Sequence, residues 1–357
     1  MLRWTCQPLH GHATIALIAN DAIGNFVIAT SLAGMVRRTY PGARISLWSG
    51  GRVRELAEGS ELFDRFVDFL RRDEAEVALL AAEHGPADLV INIENGAEAR
   101  RLPRLLSGPS TYVCGPAELE DGTAMPWPDD ARGRLWADQC WTATDLPQRF
   151  PMLRSAYIGE IFCRLAGFDG PVPRARVRRE PCARQVPDVL IAMSASLPDK
   201  LWTVDRWSAA LGWLRERGLT VGLLGARPSA QSAFWLGSDA EAEVVHQGLV
   251  VDWRGSLTLP QVVDAMALSR CVLTLDNGIM HLAATTDVPV VALFRNGIDR
   301  LWAPPWGHVH RCVAEAGCAV ATIPLRGVLD GLQRALDGPS APSALGATAG
   351  PAAEQSA

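Results

Sequence analysis

No apolar run in this 357-residue sequence approaches the roughly 18 residues that a membrane-spanning helix requires. The opening residues, MLRWTCQPLHGH, also lack the apolar core of a secretion signal. The expectation is a cytoplasmic protein, with peripheral attachment to the inner face of the membrane left open. An excess of cations is missing too: 34 Lys and Arg stand against 39 Asp and Glu, a formal charge of −5. Nucleic-acid binding needs clustered basic residues to meet phosphates, so no nucleic-acid partner is expected. The eight cysteines (Cys6, Cys114, Cys140, Cys163, Cys182, Cys271, Cys312, Cys318) show no short paired spacing, which excludes a zinc cage and a disulfide framework. His10 with His12, and His308 with His310, have no third ligand at metal-binding spacing, so no metal or other cofactor is expected. Neither ANDAIGN nor LLGARPS supplies the three spaced glycines of a dinucleotide-binding turn, and no glycine-rich run ends in Lys followed by Ser or Thr.

What is present is an ordinary globular composition, 48% hydrophobic and 20% charged, on a chain long enough for two cores. Strand-like runs rich in β-branched residues alternate with helical spacing. ATIALIAN, the loop DAIGN, the helical FVIATSLAGMVRRTY and the strand ARISLWSG form one crossover unit. RFVDFL, DLVINIE and STYVC continue as strands, with DEAEVALLAAEHG and EARRLPRLLSG as helices between them. Residues 116–150, richer in Pro, Asp and Trp, read as loops and short helices that carry substrate contacts. Residues 152–167 have helical spacing. After them comes a Pro- and Arg-rich, low-apolar run, and then the pattern restarts with VLIAMS, a long helix through WTVDRWSAALGWLRERG, LTVGLLG and LPQVVDAMALSR. The predicted division is a first domain over 1–167, a linker over 168–187, a second domain over 188–337 and a disordered tail over 338–357. The fold class is α/β, with two Rossmann-like parallel-sheet domains facing a central cleft.

The stretch LTLDNGIMHLAATTDVPVVALF, residues 273–294, gathers Asp276, Asn277 and Gly278 between two apolar runs, with His281 a few residues further on. Strand, helix, strand is the local reading. Asn277 suits an N-cap, and Gly278 lets the backbone approach whatever lies in front. Strands joined by so short a helical crossover run parallel, and ligands of such sheets collect at strand carboxyl ends, where helix N-termini favour anions. A phosphate-bearing ligand is expected there. The plainer alternative leaves Asn277 as a cap, Asp276 as a turn residue and His281 as a satisfied buried histidine.

DNGIMHLAATTDVPVVALF resembles the signature of the ADP-heptose:lipopolysaccharide heptosyltransferases, glycosyltransferase family nine, which reads Asp, Ser or Thr, Gly, two residues, His, Leu, Ala, Ala. The resemblance extends in order to IALIANDAIGNFVIATSLAGMVRRTYPGARI, DLVINIENG, KLWTVDRWSAALGWLRERGLTVGLLG and WRGSLTLPQVVDAMALSRCVLTLDNG, covering most of residues 13–306. It implies a GT-B fold with the acceptor half first and the nucleotide-sugar half second, and an inverting, metal-independent transfer. The donor would be an ADP-sugar, and the acceptor a lipopolysaccharide core or another glycan or lipid-linked molecule. The resemblance places Lys200 near the diphosphate, the backbone of Asn277 and Gly278 with His281 beside the phosphates, and Asp276 on sugar hydroxyls. Trp302 and Pro304 resemble the family's closing loop. Trp202 and Trp207 read as core or capping residues.

Glycosyl transfer needs a base for the acceptor proton and fixed donors or cations for the departing diphosphate. The family's N-terminal loop ends Gly-Asp, with that aspartate as the base, whereas this chain has Gly24 followed by Asn25. An amide cannot take the proton, and losing a general base costs about 10²- to 10⁴-fold, roughly 3–5 kcal/mol of barrier. Glu94, at the carboxyl end of DLVINIE, and Asp21, beside Asn25, are the candidate replacements. Three readings follow: an active transferase with a relocated base, a nucleotide-sugar-binding protein impaired in catalysis, and a GT-B nucleotide-sugar epimerase.

Overall fold

A computed structural model describes residues 1–231, 235–306 and 308–338. Apart from Gly338, the expected tail over 338–357 lies outside the described residues.

Among the described residues, twelve strands form two six-stranded sheets, and every strand pair in them is parallel. The first sheet contains β1 (Leu2–Arg3), β2 (Thr14–Ile18), β3 (Arg44–Ser49), β4 (Arg65–Asp68), β5 (Ala87–Asn92) and β6 (Ser107–Cys114), in the order β1-β6-β5-β2-β3-β4. The second contains β7 (Val189–Ala192), β8 (Val221–Leu223), β9 (Val251–Asp252), β10 (Cys271–Leu275), β11 (Val290–Phe294) and β12 (Val309–Val313), in the order β12-β11-β10-β7-β8-β9. Each order reverses once, between β2 and β5 in the first sheet and between β7 and β10 in the second. At such a reversal the flanking connections leave on opposite faces, so a crevice opens beyond the strand carboxyl ends.

The sequence supports this layering directly. β10 and β11 are buried at every position and β2 at all but its first, as expected of parallel strands covered by helices on both faces. The helix Ile23–Thr39 buries ten residues, including Phe26, Leu32 and Met35. One apolar cluster runs continuously from Phe26 and Val27 to Met280 and Ala283, so the halves are joined by core as well as by chain.

The segment 168–187 contains no helix or strand, and its arginines hold it against both halves. Arg174 donates to the carbonyl of Ala284 and pairs with Asp287, Arg178 donates to the carbonyl of Glu58, and Arg179 pairs with Asp264. No described helix is long and apolar enough to cross a membrane.

Three local expectations are corrected. Asn25 is not in a loop, because the helix already starts at Ile23. Helical spacing over 152–167 gives a helix only over Ile158–Leu165. There the buried Glu160 accepts from the amides of Arg154 and Ser155, and so stabilises the turns that precede the helix. Strand β5 ends at Asn92, two residues before Glu94. Residues 116–150 do form loops with two short helices, Ala131–Ala137 and Leu146–Arg149.

Candidate active site between the two switch points

After β10 the chain turns through Asp276 and Asn277 into the helix Gly278–Ala283. The Oδ1 of Asn277 accepts from the amides of Ile279 and Met280 at 3.0 and 3.3 Å, and its Nδ2 donates to the carbonyl of Ser194, just past β7, at 3.0 Å. One side chain therefore caps the helix and fixes the two strand ends that flank the crevice. Across it, Lys200 ends the tight turn Pro198–Lys200. Its Nζ lies 2.7 Å from Oδ2 of the buried Asp276 and 3.3 Å from that residue's carbonyl oxygen. The neighbouring Asp199 pairs with Arg295, beyond β11, at 2.6 Å, which holds the turn over the sheet.

His281 lies in the same short helix and is 3% exposed. Burial lowers its pKa to about 4, opposed by Asp276 and assisted by Lys200, so the imidazole is neutral at neutral pH. Its Nδ1 is buried and has no hydrogen-bond partner among the described residues. Buried polar atoms are nearly always paired, so this nitrogen is an exception at the crevice.

The opposing half is built at the β2/β5 reversal. Asn20 accepts from the amide of Ala22 with Oδ1 and donates from Nδ2 to Oε1 of Glu94 at 2.7 Å. The amide of Glu94 in turn donates to Oδ1 of the fully buried Asn92. Desolvation raises the pKa of Glu94, and the hydrogen bonds from Asn20 partly offset that. Asp21 is buried but turned elsewhere, forming a close ion pair with Arg71 beneath Gly50.

The two halves touch through glycines. A Cβ on Gly24 would stand 2.7 Å from Cδ2 of His281, and one on Gly278 would stand 2.9 Å from Cβ of Ile23. Two cavities open on either side of this contact. One, of about 410 Å³, is lined by Ser194, Gly225, Trp253, Leu257, Asn277, Gly278 and Ile279 of the second half, and by Ile23, Arg52 and Glu55 of the first. The other, of about 490 Å³, is lined by Asn25, Glu94, Trp127, Trp136, Trp141 and Phe162 of the first half, and by Leu301 and Trp302 of the second. The ring of Trp302 also meets His281 edge-on, with centroids 6.3 Å apart.

Thus Lys200, Asp276, Asn277, Gly278 and His281 converge at one crevice, while Asn25 and Glu94 share a cavity across the glycine contact. Asp21 does not join them. Trp202 and Trp207 are core residues, 3% and 0% exposed and packed edge to face. Sequence reasoning missed Arg52, Glu55 and Trp253, which lie far from the motif in the chain. The tryptophans of 116–150 were visible only as composition. Among the described residues, no group of three or more His, Cys, Asp or Glu side chains is gathered that could hold a metal ion.

Residues 172–321 match the model of glycosyltransferase family 9 (heptosyltransferase). In fold the chain is similar to the family 9 glycosyl transferase from Veillonella parvula DSM 2008, with a TM-score of 0.70 and 15% identity over 92% of this chain and 98% of that one. It is also similar to ADP-heptose LPS heptosyltransferase II of E. coli, with a TM-score of 0.67 and 17% identity over 90% and 98% of the two chains. Against E. coli heptosyltransferase WaaC, solved with ADP, the TM-score is 0.62 at 13% identity over 90% and 99%. The shared architecture is the GT-B fold. No curated protein matches the sequence.

Proposed function

We propose, from the match of residues 172–321 to the model of glycosyltransferase family 9 (heptosyltransferase), that the chain moves heptose, or a related sugar, from an ADP-sugar to an acceptor hydroxyl with inversion and without a metal. The observation that carries this reading is the convergence of Lys200, Asp276, the Asn277–Gly278 backbone and His281 at one switch point, across from Asn25 and Glu94 at the other. Two of the similar structures are named for ADP or ADP-heptose, which supports the adenine nucleotide.

In this reading the nucleoside occupies the cavity lined by Trp253 and Gly225, and the diphosphate lies along Asn277 and Gly278. Lys200 meets the charge that grows on the leaving oxygen, and His281 offers a neutral ring nitrogen. Asp276 orients Lys200 and holds sugar hydroxyls. Glu94 takes the acceptor proton as the new C–O bond forms on the face opposite the departing phosphate. A buried carboxylate with a raised pKa is a stronger base than a solvated one, which suits this role. The acceptor is a glycan or lipid-linked hydroxyl compound.

A second reading, a binding protein impaired in catalysis, is favoured by the amide at Asn25. Calorimetric titration with ADP-heptose, ADP, UDP and GDP tests the donor assignment without an acceptor. Selective ADP binding strengthened by heptose supports it, and absence of any nucleotide binding overturns it. N25D separates the two readings: a large gain in turnover would mean that a missing base limits the natural enzyme, and little change is expected if Glu94 serves.

A further inference from the structure

The cavity beside Glu94 is unusual in what lines it. Trp127 and Trp136 stack in parallel, with centroids 5.2 Å apart and planes 2° apart, and Trp141 packs against Trp136 at 6.2 Å. Trp127 and Trp141 therefore hold the indole of Trp136 rigidly in the cavity wall. Its volume, about 490 Å³, falls within the range of about 300–1,000 Å³ typical of small-molecule sites.

The same cavity has no cation. Among the described residues, no Lys or Arg lines it, and its charged members are Glu94 and Asp138. Two neighbouring cations are already committed. Arg3, 5.4 Å over the ring of Trp127, donates to the carbonyls of Gly115, Met125 and Pro126, and Arg149 is closely paired with Asp138. An anionic acceptor entering here would lose its hydration, find no uncommitted counter-charge and face the carboxylate of Glu94.

We infer that this cavity selects an uncharged sugar ring as acceptor and excludes acidic ones, with the indole of Trp136, backed by Trp127, as the specificity determinant. The inference rests on the transferase reading above and narrows its acceptor. A pyranose has one face of C–H groups that bear slight positive charge, and this face rests on the negative π-surface of an indole while the ring hydroxyls stay at its edge. A ring held against the wall can direct one edge hydroxyl to Glu94, which lines the same cavity.

The test uses the whole protein saturated with ADP and a panel of probes: the methyl glycosides of glucose, galactose and mannose, and of the corresponding uronic acids. Binding is read by tryptophan fluorescence and by saturation-transfer NMR. At least one neutral glycoside is expected to bind tenfold or more tightly than its uronic counterpart, and W136A should remove that binding while ADP affinity stays unchanged. Q139R places a cation on the exposed rim of the cavity and should narrow or reverse the preference, which keeps the test open if W136A does not fold. Uronic acids binding as well as the neutral sugars, or no neutral glycoside binding at all, with ADP binding intact, overturns the inference. Loss of ADP binding with the neutral preference retained overturns the donor assignment instead.

Discussion

Gly24 lies so close to His281 that a single methyl group added to it would stand 2.7 Å from the ring carbon Cδ2. The first turn of the Ile23–Thr39 helix in one domain thus rests directly on the imidazole of the other, and this contact separates the two cavities. Because His281 is 3% exposed and packed against Trp302, it has little room to retreat. G24A should cost about 1–3 kcal/mol by overpacking. It should also weaken ADP binding by displacing His281. Thermal unfolding with and without ADP checks both, and an unchanged Tm in both states would show that the domains separate freely at this point.

E94Q should lower turnover by about 10²- to 10⁴-fold while leaving ADP affinity intact, because it removes a proton acceptor and keeps the shape. The wild-type rate should fall in acid at a pH above the ordinary carboxylate range, since burial raises the pKa of Glu94 and the base works only when ionised. Pre-steady-state rates across pH check both points. Full turnover in E94Q would remove Glu94 from the mechanism.

D21N offers the contrasting case. Asp21 is 5% exposed and committed to Arg71, so its loss should reduce stability by about 1–3 kcal/mol through an unpaired network while turnover per folded molecule persists. Chemical denaturation paired with active-site titration separates the two effects. A large fall in turnover at unchanged stability would make Asp21 the base.

K200M should weaken ADP binding by about 10- to 100-fold, the worth of one charge-assisted contact. It should also destabilise the free protein, because Asp276 is left buried without its cation. Adding D276N should restore stability but not affinity. If the double variant binds ADP normally, Lys200 is structural only.

His281 predicts an acid-sensitive fold. Its pKa is about 4 in the folded chain against an ordinary 6.5, so between these values the unfolded chain binds a proton that the folded one does not. Stability is full above pH 6.5, falls with acid through this window by up to about 3 kcal/mol, and loses no more from this group below pH 4. H281Q should flatten that part of the urea-unfolding profile, and the same slope in the variant would assign it to other groups.

Much of this protein was legible in the chain because it depends on near neighbours. Runs such as CVLTL and VVALF announce buried parallel strands by composition, and Asn277 announces a helix start because a cap is satisfied within three residues. Strand β9 and the start of the helix at Ile23 were harder to read, since two residues carry no period and Ala22 gives no side-chain cap. Local sequence thus determined the alternation of strand and helix, the expectation of two sheets and a phosphate-type junction at Asp276–His281. Only the tertiary structure decided which carboxylate faces the cleft. Glu94 and Asp21 look alike as loop acids, but strand order sets β5 beside β2, so Asn20 grips Glu94 from 74 residues away while Arg71 draws Asp21 aside. The tryptophan wall was decided the same way. Trp127 and Trp141 lie in irregular chain and Trp136 in the short helix Ala131–Ala137, and their alignment follows from the packing of one ring on the next.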